Sequence, residues 1–255
     1  MKNTLRQISV VVVLLATIVI NILANALPIN GRGTGEISDS FNVYFVPAGY
    51  VFSIWGIIYI GLIAYAIYQM LPSQKENPRL QATGWWVVLG GLANIAWIFL
   101  WHYLQFPGTL VAMLILLVTL IAIYIRLGIN QFKVSTGETW AVRVPFSIYL
   151  GWITVATTAN ISDVLDYLKW NQFGLSAVTW MVIILGAVVL IASLMNFLRK
   201  DIAYTLVILW ALAGIAAKFP SEGTVTVAVW TAFGLVAVTL AAALFLKGPR
   251  KPLLN

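Results

Sequence analysis

The chain contains no cysteine, which excludes disulfides, thiolate nucleophiles and Cys-ligated metal sites. Its single histidine, His102, rules out a multi-histidine metal centre. Charge is scarce: Asp, Glu, Lys and Arg make up 9% of the 255 residues, against roughly 25% in a soluble domain. No such residue falls at the middle of any long apolar run. Ion pumps, proton relays and voltage sensors carry ionisable groups there, so none of these is expected. A retinal protein would need a lysine in mid-helix, and Lys218 lies at the end of its run. No nucleophile–base pair is legible, so an enzyme is not expected.

What the chain has in excess is apolar residues, 61% of the total, with a mean hydropathy of +0.94. A soluble fold would leave much of that surface exposed and aggregate. The expected fold class is all-α, a polytopic membrane helical bundle. A helix crosses the hydrocarbon core with about 20 apolar residues. Eight runs qualify or nearly qualify: Ser9–Leu27, Pro47–Leu71, Gly84–Tyr103, Gly108–Leu127, Val144–Asn160, Gly174–Phe197, Ile202–Phe219 and Val225–Leu246. The first, preceded by Lys2 and Arg6 and followed by Ala24-Asn25-Ala26, also has the outline of a cleaved signal. Its nearly full span length favours a retained helix.

The charges orient these runs. With the N-terminus in the cytoplasm and sides alternating, twelve of the fifteen basic residues fall inside. Arg32, Lys169 and Lys218 fall outside. This is the asymmetry of the positive-inside rule, and it predicts eight crossings with both termini cytoplasmic. Five of the eight acids fall outside: Glu36, Asp39, Asp163, Asp166 and Glu222. Leu165-Asp166-Tyr167-Leu168-Lys169, at the outer end of the fifth helix, fits the proposed cholesterol pattern L/V-x-Y-x-K; Asp163 and Asp166 equally read as a solvated loop. The outer segment 28–46 has the length of a binding loop or lid.

Eleven tryptophans are present. Trp85, Trp86, Trp101, Trp140 and Trp170 lie near run ends and suit an interfacial belt. Trp55, Trp97 and Trp152 lie inside. Phe52, Trp55 and Tyr59 fall at offsets 0, 3 and 7, as do Asn94, Trp97 and Trp101. Tyr149, Trp152, Ala156 and Asn160 follow offsets 0, 3, 7 and 11. Each set shares one helix face. An unpaired amide is costly in hydrocarbon, so these faces should turn inward. Two uses are open. Asn94 and Asn160 are interhelical bonds, or they anchor a ligand in an aromatic-lined cavity suited to a flat apolar molecule. His102, at the outer end of the third run, reads as an interfacial polar group, with axial haem ligation as the alternative. Gly56, Gly61, Gly90 and Gly91 are expected to permit close helix contact.

Three motifs resemble a known family. Phe45-Val46-Pro47-Ala48-Gly49-Tyr50-Val51-Phe52-Ser53-Ile54-Trp55-Gly56-Ile57-Ile58-Tyr59 is similar to F-x-P-P-G-W-V-F-x-x-V-W-x-x-L-Y. Ala93-Asn94-Ile95-Ala96-Trp97 is similar to L-N-x-x-W, and Tyr149 to Asn160 to Y-x-x-W-x-x-x-A-x-x-x-N. The family is TspO/MBR, the tryptophan-rich sensory proteins related to the mitochondrial translocator protein. Ala48 and Tyr50 stand where the family has Pro and Trp.

The resemblance covers residues 1–169 and implies a five-helix core; residues 170–255 would be a three-helix extension. It implies a cavity near the first loop that takes tetrapyrroles such as porphyrin or haem, or sterols. In some bacterial members, light-dependent porphyrin breakdown is also implied. The expected ligand-binding residues are Tyr50, Phe52, Trp55, Tyr59, Asn94, Trp97, Trp101, Tyr149, Trp152, Ala156 and Asn160. The expected function is an integral membrane sensor or binding protein in a bacterial or organellar membrane. Its partners would be the bilayer, a hydrophobic small molecule and a second copy of the chain, with no nucleic acid, no metal and no obligatory cofactor. The alternative is a facilitative transporter of a small neutral or lipidic solute.

Overall fold

The computed structural model describes residues 2–27 and 29–246. Lys247, Arg250 and Lys251, counted among the inside charges, lie outside the described residues. The described chain forms α1 (Lys2–Ala26), α2 (Thr34–Ser38), α3 (Ile54–Met70), α4 (Pro78–His102), α5 (Phe106–Arg126), α6 (Thr136–Glu138), α7 (Val144–Tyr167), α8 (Ala177–Arg199), α9 (Ile202–Lys218) and α10 (Gly223–Phe245). Apart from the short α2 and α6, these are eight long helices, one at each expected run.

Local chemistry sets their ends. Asn77 caps α4 by accepting from the Arg79 amide, with Pro78 in the first turn. Ser176 caps α8, and Asp201 caps α9. Lys200 takes a left-handed φ of 53°, which stops α8 and turns the chain directly into α9. A π-helical turn over Thr139–Arg143 leads into α7, just ahead of Pro145, which has no N–H to give.

Among the described residues, six helices are long and apolar enough to cross a membrane: α1, Gly49–Met70, α4, α5, α8 and α10. The protein is an integral, multi-pass membrane protein. The remaining two long helices have reasons to differ. Helix α9 is apolar but has 17 residues. Helix α7 buries Ser147, Thr157, Asn160, Ser162 and Asp163, because it is enclosed by protein on several sides and its polar groups face neighbours.

Helices α1, α4, α5, α7 and α3 form a closed ring in that order, α3 returning to α1. Helix α9 lies on the outward side of α7, and α8 and α10 pack on α9 and on each other. The α7–α9 approach is close: a Cβ on Gly151 would meet the Tyr204 carbonyl oxygen at 2.9 Å. Within the ring, Gly61 abuts Pro145, Gly90 abuts Thr119 and Gly91 abuts Val13. Gly56 does not follow; its missing side chain faces open space.

Helix α7 also runs two turns beyond the expected Asn160. Asp163 and Asp166 are therefore helical, and Asp163 is buried at 2% exposure. The loop reading of these acids is corrected. It failed because a run that turns polar looks like a helix end when its polar side faces protein.

Candidate functional site

The three aromatic faces meet inside the outer half of the ring. They enclose a cavity of about 50 Å3, roofed by Thr34 and Ser38 of α2 and by Pro47. Seven of the eleven expected residues line it: Phe52, Trp55, Trp97, Trp101, Trp152, Ala156 and Asn160. Trp97 stacks on Trp101 with centroids 5.1 Å apart. Trp152 meets Trp55 and Phe52 edge-on, at 6.2 and 5.7 Å. Such tilted pairs satisfy the ring quadrupoles and hold the rings rigid. Trp101 is 2% exposed, so it belongs to the cavity and not to an interfacial belt. Its Nε1 donates to the Thr34 carbonyl at 3.2 Å.

The other four lie elsewhere. Tyr50 is half exposed and packs against Trp210 of α9. Tyr59 stacks on the far side of Trp55. Asn94 and Tyr149 form a buried relay below the cavity: Asn21 Nδ2 donates to Asn94 Oδ1 at 2.7 Å, and Asn94 Nδ2 donates to the Tyr149 hydroxyl at 3.0 Å. Asn94 is thus an interhelical bond joining α1, α4 and α7. Asn160 is divided. Its Nδ2 donates to Thr109 on α5 at 2.9 Å, while its Oδ1 is buried without a protein partner.

Three more buried polar atoms among the lining residues find no protein partner: Trp97 Nε1, Trp152 Nε1 and Asp163 Oδ1. Buried polar groups are nearly always paired. Two donors and two acceptors left over around one cavity are therefore a functional signal. Asp163 is the main residue missed from sequence. The signal was present, since it stands three positions beyond Asn160 on the face of Tyr149, Trp152 and Ala156.

The roof is fastened to α4. His102 is fully buried, which corrects its reading as an interfacial group. The carbonyl of Ile29 can only accept, so Nδ1 donates to it at 3.2 Å, and Nε2 meets the Thr34 hydroxyl at 3.0 Å. Both ring nitrogens are occupied with the loop in this arrangement. Asn30 Nδ2 adds a bond to the His102 carbonyl at 3.0 Å. His102→Ala would leave buried groups unpaired at roughly 1–3 kcal/mol each. The expected result is faster amide hydrogen exchange across residues 29–38, with exchange in α5 unchanged; equal exchange in both proteins would remove the fastening role.

A second concavity of about 1110 Å3 opens between α3, the start of α7 and α9. None of the eleven expected residues lines it. Its buried polar groups Ser147 and Asp201 are bonded to each other at 2.7 Å. It is larger, but among its lining residues only Arg143 has a buried polar atom without a hydrogen-bond partner, its Nε, against four such atoms at the aromatic cavity.

These features define a multi-pass helical membrane protein with an internal aromatic cavity under a loop roof. The family model described as TSPO-like protein matches residues 7–245, and the chain belongs to that family. The match takes in the helices after residue 169 as well as the ring. No curated protein and no solved structure matches the chain.

Proposed function

We propose that the protein is a membrane receptor for a planar, largely apolar ligand that also carries hydrogen-bonding groups, with a tetrapyrrole as the best-fitting class. The observation that carries this reading is a set of four unpaired polar atoms, two N–H donors and two oxygens, all on residues that line an indole-rich cavity. Indole faces supply stacking area, and the unpaired atoms supply orientation. A sterol, with one hydroxyl, would use fewer of them.

The cavity of about 50 Å3 is far below the ~300–1,000 Å3 of ordinary ligand sites. Binding therefore requires the roof to lift. Asn30 and Gly31 hold positive φ, 56° and 74°, where the chain turns from α1 toward the roof. Titration of the purified protein with protoporphyrin should quench tryptophan fluorescence saturably. Trp55→Phe with Trp152→Phe should lower the quenching amplitude and weaken binding at least several-fold. Linear, unsaturable quenching, or identical curves for both proteins, would sink the proposal.

A further inference from the structure

Asp163 is a carboxylate in the wrong company for an apolar site. It is 2% exposed, its Oδ1 has no protein partner, and it lines the cavity beside Trp97, Trp101 and Trp152. It takes part in none of the ion pairs among the described residues. Lys218, at the outer end of α9, is engaged with Asp39 of the roof segment. An unpaired buried carboxylate costs several kcal/mol; among the described residues no basic side chain stands within ion-pair distance of it, and Lys218 acts on it only from farther off.

Its surroundings share one electrostatic preference. Indole faces present negative charge density and attract cations, Trp most strongly. The Trp97–Trp101 stack, Trp152 and Trp55 surround the same small volume. A carboxylate at one side of an aromatic box recognises an organic ammonium: the rings accept the charged nitrogen and its carbon substituents, and the carboxylate accepts its N–H. A neutral alcohol or an anion would leave Asp163 uncompensated or repelled.

We propose that the cavity selects ligands that present a protonated amine nitrogen to Asp163, the rest of the ligand lying on the indoles. This rests on the reading of the cavity as the ligand site and adds the charge of the ligand to it. A tetrapyrrole meets this requirement only with a protonated ring nitrogen over Asp163 and its carboxylates directed away.

The test compares 2-phenylethylamine with 2-phenylethanol, equal in shape and different in charge, by calorimetric titration of the full chain in detergent. The amine should bind at least ten-fold more tightly. Asp163→Asn, which keeps the shape, should abolish that preference, while Asp166→Asn should retain it. Saturable protoporphyrin quenching is measured in parallel on each protein. Equal binding of amine and alcohol by the unmodified chain, no amine binding at millimolar concentration, or a preference that survives Asp163→Asn would each overturn the proposal. Loss of protoporphyrin quenching with the amine preference intact would overturn the tetrapyrrole reading and leave this one standing. The comparison on the unmodified chain decides the matter even if Asp163→Asn fails to fold.

Discussion

Asp201→Ala should destabilise the protein by about 3–5 kcal/mol, the sum of a lost helix cap and two buried hydroxyls left without an acceptor. Asp201 is 2% exposed and ties three helices at one point. Its Oδ2 accepts from Tyr124 of α5 and Ser147 of α7, both at 2.7 Å. Its Oδ1 accepts from the Tyr204 amide at 3.1 Å and so caps α9. The alanine variant should melt at least about 6 °C lower in detergent, and Asp201→Asn, which keeps one acceptor, should fall between it and the parent. A melting point within a degree or two of the parent would show that the hydroxyls find other acceptors.

Glu138→Ala should be comparably severe. Glu138 accepts two bonds from Arg79, Nε at 2.9 Å and Nη2 at 2.7 Å, and faces Arg143 Nε at 3.7 Å. The Arg143 side chain is 6% exposed. Removing the carboxylate strands two guanidinium groups, one of them buried, and breaking a buried pair in this way costs about 3–5 kcal/mol. Arg79→Ala should be milder, because the Arg79 side chain is 25% exposed and Glu138 keeps Arg143. The cause can be separated from lost packing. Adding Arg143→Met to Glu138→Ala should recover part of the loss, since no charge then remains stranded. A double variant less stable than the single one would refute the electrostatic account.

Much of this architecture was legible beforehand, for definite reasons. Apolar runs of span length became long helices because hydrocarbon leaves the backbone no other partner. The aromatic faces were legible because Trp55, Trp97 and Trp152 stand at helical spacing beside amides or hydroxyls. What escaped was pairing across helices. Asp163, Asp201, Glu138 and His102 sit near run ends, where a polar residue reads as solvated. Three are paired with a neighbour distant in sequence, Asp201 with Tyr124, His102 with Thr34 and Glu138 with Arg79, while Asp163 is enclosed by the cavity wall with its Oδ1 unpaired. Tyr50 was misplaced for the same reason. Helical spacing assigns it a face but not a partner, and the neighbour it meets is Trp210, 160 residues away.

The contacts of α9 with the roof segment and the chain that follows it have a mechanical consequence. The Ala48 amide donates to the Gly214 carbonyl at 3.1 Å, and Trp210 Nε1 donates to the Val51 carbonyl at 3.2 Å. The Val51 side chain fills the space a Cβ on Gly214 would need, and Lys218 holds Asp39. A roof that lifts must break these contacts or carry α9 with it. Helices α8 and α10 rest on α9, so they sit at the far end of a lever whose near end touches the cavity entrance. If the proposed ligand lifts the roof, occupancy of the enclosed site moves the opposite flank of the molecule.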